Sequence, residues 1–297
     1  MPIRLGLIGM SPGNGHPYSW GAIFNGYDPV QMEDCGFPVI PRYLEEQSFP
    51  DIAIKGANVT HVWAQERGIS DHISKSALIP NVVDDFSAMI GHIDGLLLAR
   101  DDAETHAHFA APFLDAGIPV YIDKPLALSV DEAQRMIDRQ RFPGQIFSCS
   151  ALKYANELTL SEEDFTRLGR IRYVTATVPK DWDKYAIHAI DPILKLVGDR
   201  GELVGTHASN DGGFSCLSAT YRDDFHLRIT AFGKIPAPIS IKVFGELNWK
   251  ELVFRDSFHS FKCALEDFVE GIRNHDVRTS PETMLNAIRL VEAGRIF

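Results

Sequence analysis

The stretch IDGLLLARDDAETHAHFAAPFLDAGIPVYIDKPLA, residues 93–127, constrains the fold of this chain more than any other. A Leu-rich run, two acids, a segment of helical texture, a glycine and a second apolar run follow one another. Asp101 and Asp102 suit a helix start, where exposed N–H groups favour negative charge. Gly117 suits the C-terminal cap of that helix. Strand, helix and strand in this order read as a βαβ unit, whose parallel strands need a helical crossover. Pro112 is expected to kink or shorten the helix. Apolar runs at residues 3–9, 59–64 and 81–83 extend the pattern to a parallel sheet.

A further helix is expected after Ser129, which with Glu132 has the spacing of a capping box. Beyond it the texture changes. Residues 145–152, 170–178, 202–209, 214–221, 225–232 and 239–244 read as strands with short polar links, which implies a mostly antiparallel sheet. Two amphipathic helices close the chain; Phe258, Phe261, Leu265, Phe268, Val269 and Ile272 share one face of the first. The expected organisation is a domain over residues 1–122 and a second over 123–297. Residues 26–58 exceed what a minimal connection needs, so they read as an insertion: a lid, a partner surface or a substrate wall.

The 297 residues carry a net charge of -11 without a clustered Lys/Arg tract, which argues against nucleic acid or an anionic membrane surface as partner. No run reaches the roughly 20 apolar residues of a membrane helix. The apolar run in MPIRLGLIGM is too short for a signal peptide and reads as a first strand. Cys35, Cys149, Cys216 and Cys263 stand far apart, which suits reduced thiols in a cytoplasmic protein better than a disulfide frame or zinc site. His106 and His108 lie two apart on a helix and face different ways, so no catalytic metal is expected.

Taken together, residues 93–137, YAIHAIDPILKLVG and LEDFVEGIRN resemble the Gfo/Idh/MocA oxidoreductases, the glucose-fructose oxidoreductase and inositol dehydrogenase family. The resemblance implies an α/β protein: an N-terminal Rossmann domain with a doubly wound parallel sheet, then an α/β domain with a large, mostly antiparallel open sheet. It implies NAD or NADP as cofactor, a sugar, cyclitol or nucleotide-sugar substrate, and a homo-oligomer, dimer or tetramer. Lys124 of DKP matches the lysine of the family's E-K-P motif, with Asp123 in place of glutamate. His188 of YAIHAID matches its helix-borne histidine. The family often has an aspartate four residues before that histidine; this chain has Lys184. His106 matches a family residue on the nicotinamide ribose side.

Hydride transfer from an alcohol needs a group to take the hydroxyl proton and another to stabilise the developing carbonyl. Lys124 and His188 can divide that work, with Tyr185 three residues before the histidine and Asp191 three after. Pro192 would clash with the carbonyl of residue 188 in a continuous helix, so the helix is expected to start near His188. Lys153, Trp182 and Lys184, with Asp191, are candidates for substrate contacts.

The loop IGMSPGNGHPYSW departs from the fingerprint G-x-G-x-x-G. Taking Gly13 and Gly15 as the first pair puts Tyr18 third; taking Gly9 puts Ser11 second. Pyrophosphate binding needs backbone N–H groups aimed from a loop and helix start rather than one spacing. Gly9, Gly13 and Gly15 can meet that need, and Ser11 and Asn14 offer further donors. Glu66 stands where an acid would hold the ribose hydroxyls of NAD, and Arg67 where a cation would meet the phosphate of NADP. Two other readings stay open: a nicotinamide used transiently in elimination, epimerisation or glycoside cleavage, and a non-catalytic sensor or scaffold.

Overall fold

The computed structural model describes residues 2–295. The chain forms two compact units that interleave in sequence. The first comprises residues up to Ala127, Gln134–Ser148 and Phe261–Pro281; the second comprises Leu128–Ala133, Cys149–Ser260 and the residues from Glu282 onward.

In the first unit β1 (Ile3–Ile8), β2 (Ala57–Trp63), β3 (Asn81–Val82), β4 (Gly95–Leu98), β5 (Val120–Ile122) and β6 (Ile146–Phe147) pair in parallel in the order 3-2-1-4-5-6. This is the strand order of a dinucleotide-binding fold, with its switch point between β1 and β4. β4 is buried along its whole length, and so are Leu5, Leu7 and Ile8 of β1. Strands covered on both faces read as continuous apolar runs, which is why they stood out in the sequence.

Residues 145–152 are a correction to the expected start of the antiparallel sheet. Ile146 and Phe147 pair with Val120 and Tyr121 as the last parallel strand, and Ala151–Tyr154 is a 3-10 turn. Nor does a cut at 122/123 separate the units. The chain re-enters the first unit for β6 and for the helix Ser257–Asn274, whose Phe268 packs on Tyr121 and Phe147.

The helix His106–Asp115 keeps Pro112 in its interior, preceded by a 3-10 turn at Ala103–Thr105, so the helix starts later than Asp101. Gly117, at φ +75, reverses the chain after it. The Ser129 hydroxyl accepts from the Glu132 N–H at 3.3 Å, as the capping spacing predicts. The insertion contains two short helices, Pro29–Glu33 and Val39–Glu45, that lie beside the helices Arg67–Ser76 and His16–Asn25.

The second unit holds β7 (Ile171–Val178), β8 (Leu203–Asp211), β9 (Phe214–Tyr221), β10 (His226–Ala231), β11 (Ser240–Gly245) and β12 (Trp249–Val253), in the order 12-11-7-10-9-8. β7 and β10 run parallel; the other pairs are antiparallel. Val174, Ala176, Val178, Leu227 and Ile229 point to the buried face, and Thr175, Thr177 and Arg228 to the other. The helix Ile187–Val197 covers β7 and β11 from the buried side. No helix of the described residues is long and apolar enough to cross a membrane.

Candidate functional site

The glycine loop leaves β1 at Gly9, whose N–H donates to the Trp63 carbonyl of β2 at 3.0 Å. Its three glycines answer to three different constraints. A Cβ on Gly9 would run into the ring of Pro17, in the first turn of the helix His16–Asn25. Gly13 sits at φ +81 in open space, a conformation costly for other residues. A Cβ on Gly15 would come within 2.6–2.8 Å of Ile40 and Phe37, so the insertion packs directly on the loop. The three glycines are thus spaced by four and two residues, where the fingerprint has two and three.

The side chains of this longer loop turn inward. Ser11 donates to Asp101 Oδ1 at 2.6 Å and accepts the Asp101 N–H at 3.1 Å. Asn14 donates to Asp123 Oδ2 at 2.9 Å and accepts the His16 N–H at 2.8 Å. His16 Nδ1 lies 2.5 Å from the same Asp123 oxygen. These are anchoring bonds, so Ser11 and Asn14 spend their side chains on the protein rather than offering them outward. By contrast, among the described residues the backbone N–H groups of Ser11, Gly13 and Gly15 take no part in the protein's own hydrogen bonds. A loop with spare amides at a helix start fits the phosphates of a dinucleotide.

Asp123 organises the end of β5. Its other oxygen accepts the Lys124 N–H at 2.8 Å. Burial pushes this carboxyl up, but the charges of His16 and Lys124 and the bond from His16 outweigh it and hold it below the ordinary value. Lys124 is itself buried, with Nζ 3.7 Å from Asp101 Oδ2. The peptide bond from Lys124 to Pro125 is cis.

A second bracket holds the loop from the side. Gln65 donates to the Met10 carbonyl at 2.8 Å and accepts its N–H at 3.1 Å, while Arg100 donates to both Met10 and Gln65 and forms a two-pronged pair with Asp102. Asp101 and Asp102 were expected only as the start of a helix, and Arg100 and Gln65 had no expected role. The signal for Arg100, Asp101 and Asp102 was three consecutive charged residues directly after an apolar strand.

His106 is fully buried, its ring nitrogens facing the carbonyls of Leu126 and Arg100 at 3.1 and 2.8 Å, so it braces the segments around Lys124. Glu66 is exposed and precedes the helix Arg67–Ser76. Arg67 pairs with Asp71 and Asp84 on the surface, where such pairs contribute little.

In the second unit, His188 lies in the first turn of the helix Ile187–Val197, close to where Pro192 led it to be expected. Its Nδ1 is 2.8 Å from the Ser150 hydroxyl, and Asp191, one turn on, accepts the Ser150 N–H at 2.5 Å. Burial pushes the Asp191 carboxyl up to about 6, against the lowering effects of that N–H and of Lys153. Tyr185 presents its ring edge-on to His188 at 5.2 Å and takes a hydrogen bond from Lys180 at 2.5 Å. Lys184 sits in the short helix Trp182–Tyr185, its N–H capped by Asp181 at 2.9 Å. Lys153 lies in the 3-10 turn after Ser150, with Nζ 5.0 Å from the Tyr154 ring centroid.

Trp182 corrects the expectation of a stacking face for substrate. It is buried, its indole N–H donates to the Val291 carbonyl at 2.8 Å, and its ring lies so close to Gly294 that no Cβ fits there. Among the described residues no group of three or more His, Cys, Asp or Glu side chains is arranged to hold a metal.

Residues 43–150 match the sequence model of the Gfo/Idh/MocA family, described as an oxidoreductase family with an NAD-binding Rossmann fold. The match spans a little over a third of the chain, and the parallel sheet of the first unit has the strand order of a Rossmann fold. No curated protein sequence matches the chain significantly. Among solved structures, the scyllo-inositol dehydrogenase from Lactobacillus casei with bound NAD(H) and scyllo-inositol is similar at a TM-score of 0.72 and 14% identity, over 99% of this chain and 96% of that one. The UDP-N-acetylglucosamine 3-dehydrogenase GnnA from Acidithiobacillus ferrooxidans gives 0.72 and 15%, over 99% and 97%. The myo-inositol 2-dehydrogenase from Lactobacillus plantarum gives 0.72 and 13%, over 98% and 96%. At these identities the likeness is one of fold, and it extends through both units.

Proposed function

We propose that this protein is a nicotinamide-dependent dehydrogenase or reductase acting at a hydroxyl or carbonyl carbon of a sugar, cyclitol or nucleotide sugar. The observation that carries this reading is the glycine loop. It is lengthened, yet it is braced by Ser11, Asn14, His16 and Gln65 and keeps the amides of Ser11, Gly13 and Gly15 for a ligand. A loop that had lost its ligand would have no reason to hold four anchors while leaving its amides unspent. The polyol and nucleotide-sugar dehydrogenases that share the fold support the substrate class.

The bound nicotinamide would accept or give up the hydride. The amides of Gly13 and Gly15 would hold its phosphates, and Glu66, at the cap of the helix after β2, would meet a ribose hydroxyl. Lys124, held by Asp101, presents a buried ammonium or amine to the substrate oxygen, while Asp123 fixes the backbone from which it projects. In the second unit, His188, with the Tyr185 ring edge-on beside it, is the other candidate proton-handling residue. The test is a screen of sugars, cyclitols and nucleotide sugars with NAD and NADP, following nicotinamide absorbance. The reading predicts substrate-dependent reduction or oxidation in the wild type that is absent in Lys124→Met. Ligand binding without any change in nicotinamide absorbance would overturn it.

A further inference from the structure

Ser150 is completely buried and is gripped at two points by one turn of the helix Ile187–Val197. Asp191 takes its backbone N–H and His188 Nδ1 meets its hydroxyl. Residues three apart on a helix share a face, so both grips come from the same side. The hydroxyl also accepts the Leu152 N–H at 3.2 Å, as the cap of the 3-10 turn Ala151–Tyr154.

The partners of the Ser150 hydroxyl fix which way its bond to His188 runs. A serine hydroxyl has one proton and two lone pairs. Leu152 occupies one lone pair. Among the described residues the acceptor facing the proton is His188 Nδ1, and a buried hydroxyl that failed to donate would carry a desolvation cost. Ser150 therefore donates and Nδ1 accepts. In a neutral imidazole the proton then resides on Nε2.

We propose that Ser150 is the positioning residue of His188, fixing the neutral ring as its Nε2–H tautomer, so that this histidine is not the base for a substrate hydroxyl. The inference rests on the functional reading above and sharpens it. The lone pair of the neutral ring lies at Nδ1 and is spent on Ser150, so Nε2 cannot take the hydroxyl proton of an alcohol.

The test is 15N NMR of the imidazole nitrogens in the full-length protein at pH 8, without cofactor or substrate. The His188 signals are identified by their loss in His188→Gln. The expected spectrum has a lone-pair-type Nδ1 and a protonated Nε2. Ser150→Thr keeps that pattern; Ser150→Ala loses it, with Nδ1 moving toward the protonated type. A protonated Nδ1 in the wild type overturns the proposal, and so does an unchanged pattern in Ser150→Ala. The wild-type spectrum decides even if the alanine variant does not fold. Because no nicotinamide is present, the result is independent of whether NADH or NADPH binds, which tests the functional reading separately.

Discussion

Two buried aspartates, one in each unit, are driven in opposite directions. Asp123 lies among His16, Lys124 and the amide of Asn14, and its carboxyl is held below the ordinary value despite full burial. Asp191 has one strong backbone donor and the charge of Lys153 to lower it, and burial outweighs both and pushes it up to about 6. The same side chain at comparable depth is thus a stable anion in one place and a strained one in the other. What differs is the number of positive partners within reach, which must offset the cost of removing charge from water. The Asp123 cluster is built to hold the loop and Lys124 in place; the Asp191 cluster tolerates a cost to fix Ser150 and, through it, His188.

The comparison can be sharpened by substitution. The largest effect is expected from Lys124→Met: turnover falls by about 100- to 10,000-fold, the range for loss of a proton-handling group, with NADH affinity retained. Steady-state kinetics and nicotinamide fluorescence check the two halves of that statement. Next come matched replacements of the aspartates. Asp123→Asn leaves His16 and Lys124 without their carboxylate and should destabilise by about 3 kcal/mol in denaturant unfolding at pH 7. Because its folded value is lowered, the contribution of Asp123 is present above the ordinary 3.8 and disappears as pH falls through the folded value, so the deficit of the variant should shrink in acid.

Asp191→Asn should do the reverse. A rise from 3.8 to about 6 means that the unfolded chain ionises more readily than the folded one, so Asp191 destabilises increasingly between those values and fully above them. The asparagine variant should therefore gain up to about 3 kcal/mol above pH 6 and nothing below pH 4, provided its carbonyl accepts the Ser150 N–H. If both variants were destabilised equally at pH 7, the contrast between the clusters would be wrong. The smallest effect is expected from Gly13→Ala, where φ is +81 and space is open: a loss of about 1 kcal/mol and a correspondingly weaker hold on NADH.

Much of the first unit was legible because its strands are short, apolar and buried on both faces, and because Gly117 and Ser129 mark helix ends by local chemistry. Lys124 and His188 could be picked out by their motifs. The partners of those residues could not. Ser11 and Asp101 are 90 positions apart, Asn14 and Asp123 109, and Ser150 and His188 38. A hydrogen bond across such distances leaves no periodicity to read. The assignment of Ile146 and Phe147 failed for a related reason: two apolar residues do not reveal which sheet they join. Trp182 was misplaced because an indole serves equally well as a stacking face or as a buried plug with its N–H donated to a carbonyl, and the plug was needed against Gly294.

The central claim is that the lengthened glycine loop still holds a dinucleotide. Titration of the purified protein with NADH and with NADPH, followed by nicotinamide fluorescence, tests it most directly. The account predicts saturable binding of at least one, weakened by Gly13→Ala and little changed by Lys124→Met. Absence of binding by either reduced cofactor, and by NAD and NADP in competition with them, would contradict it.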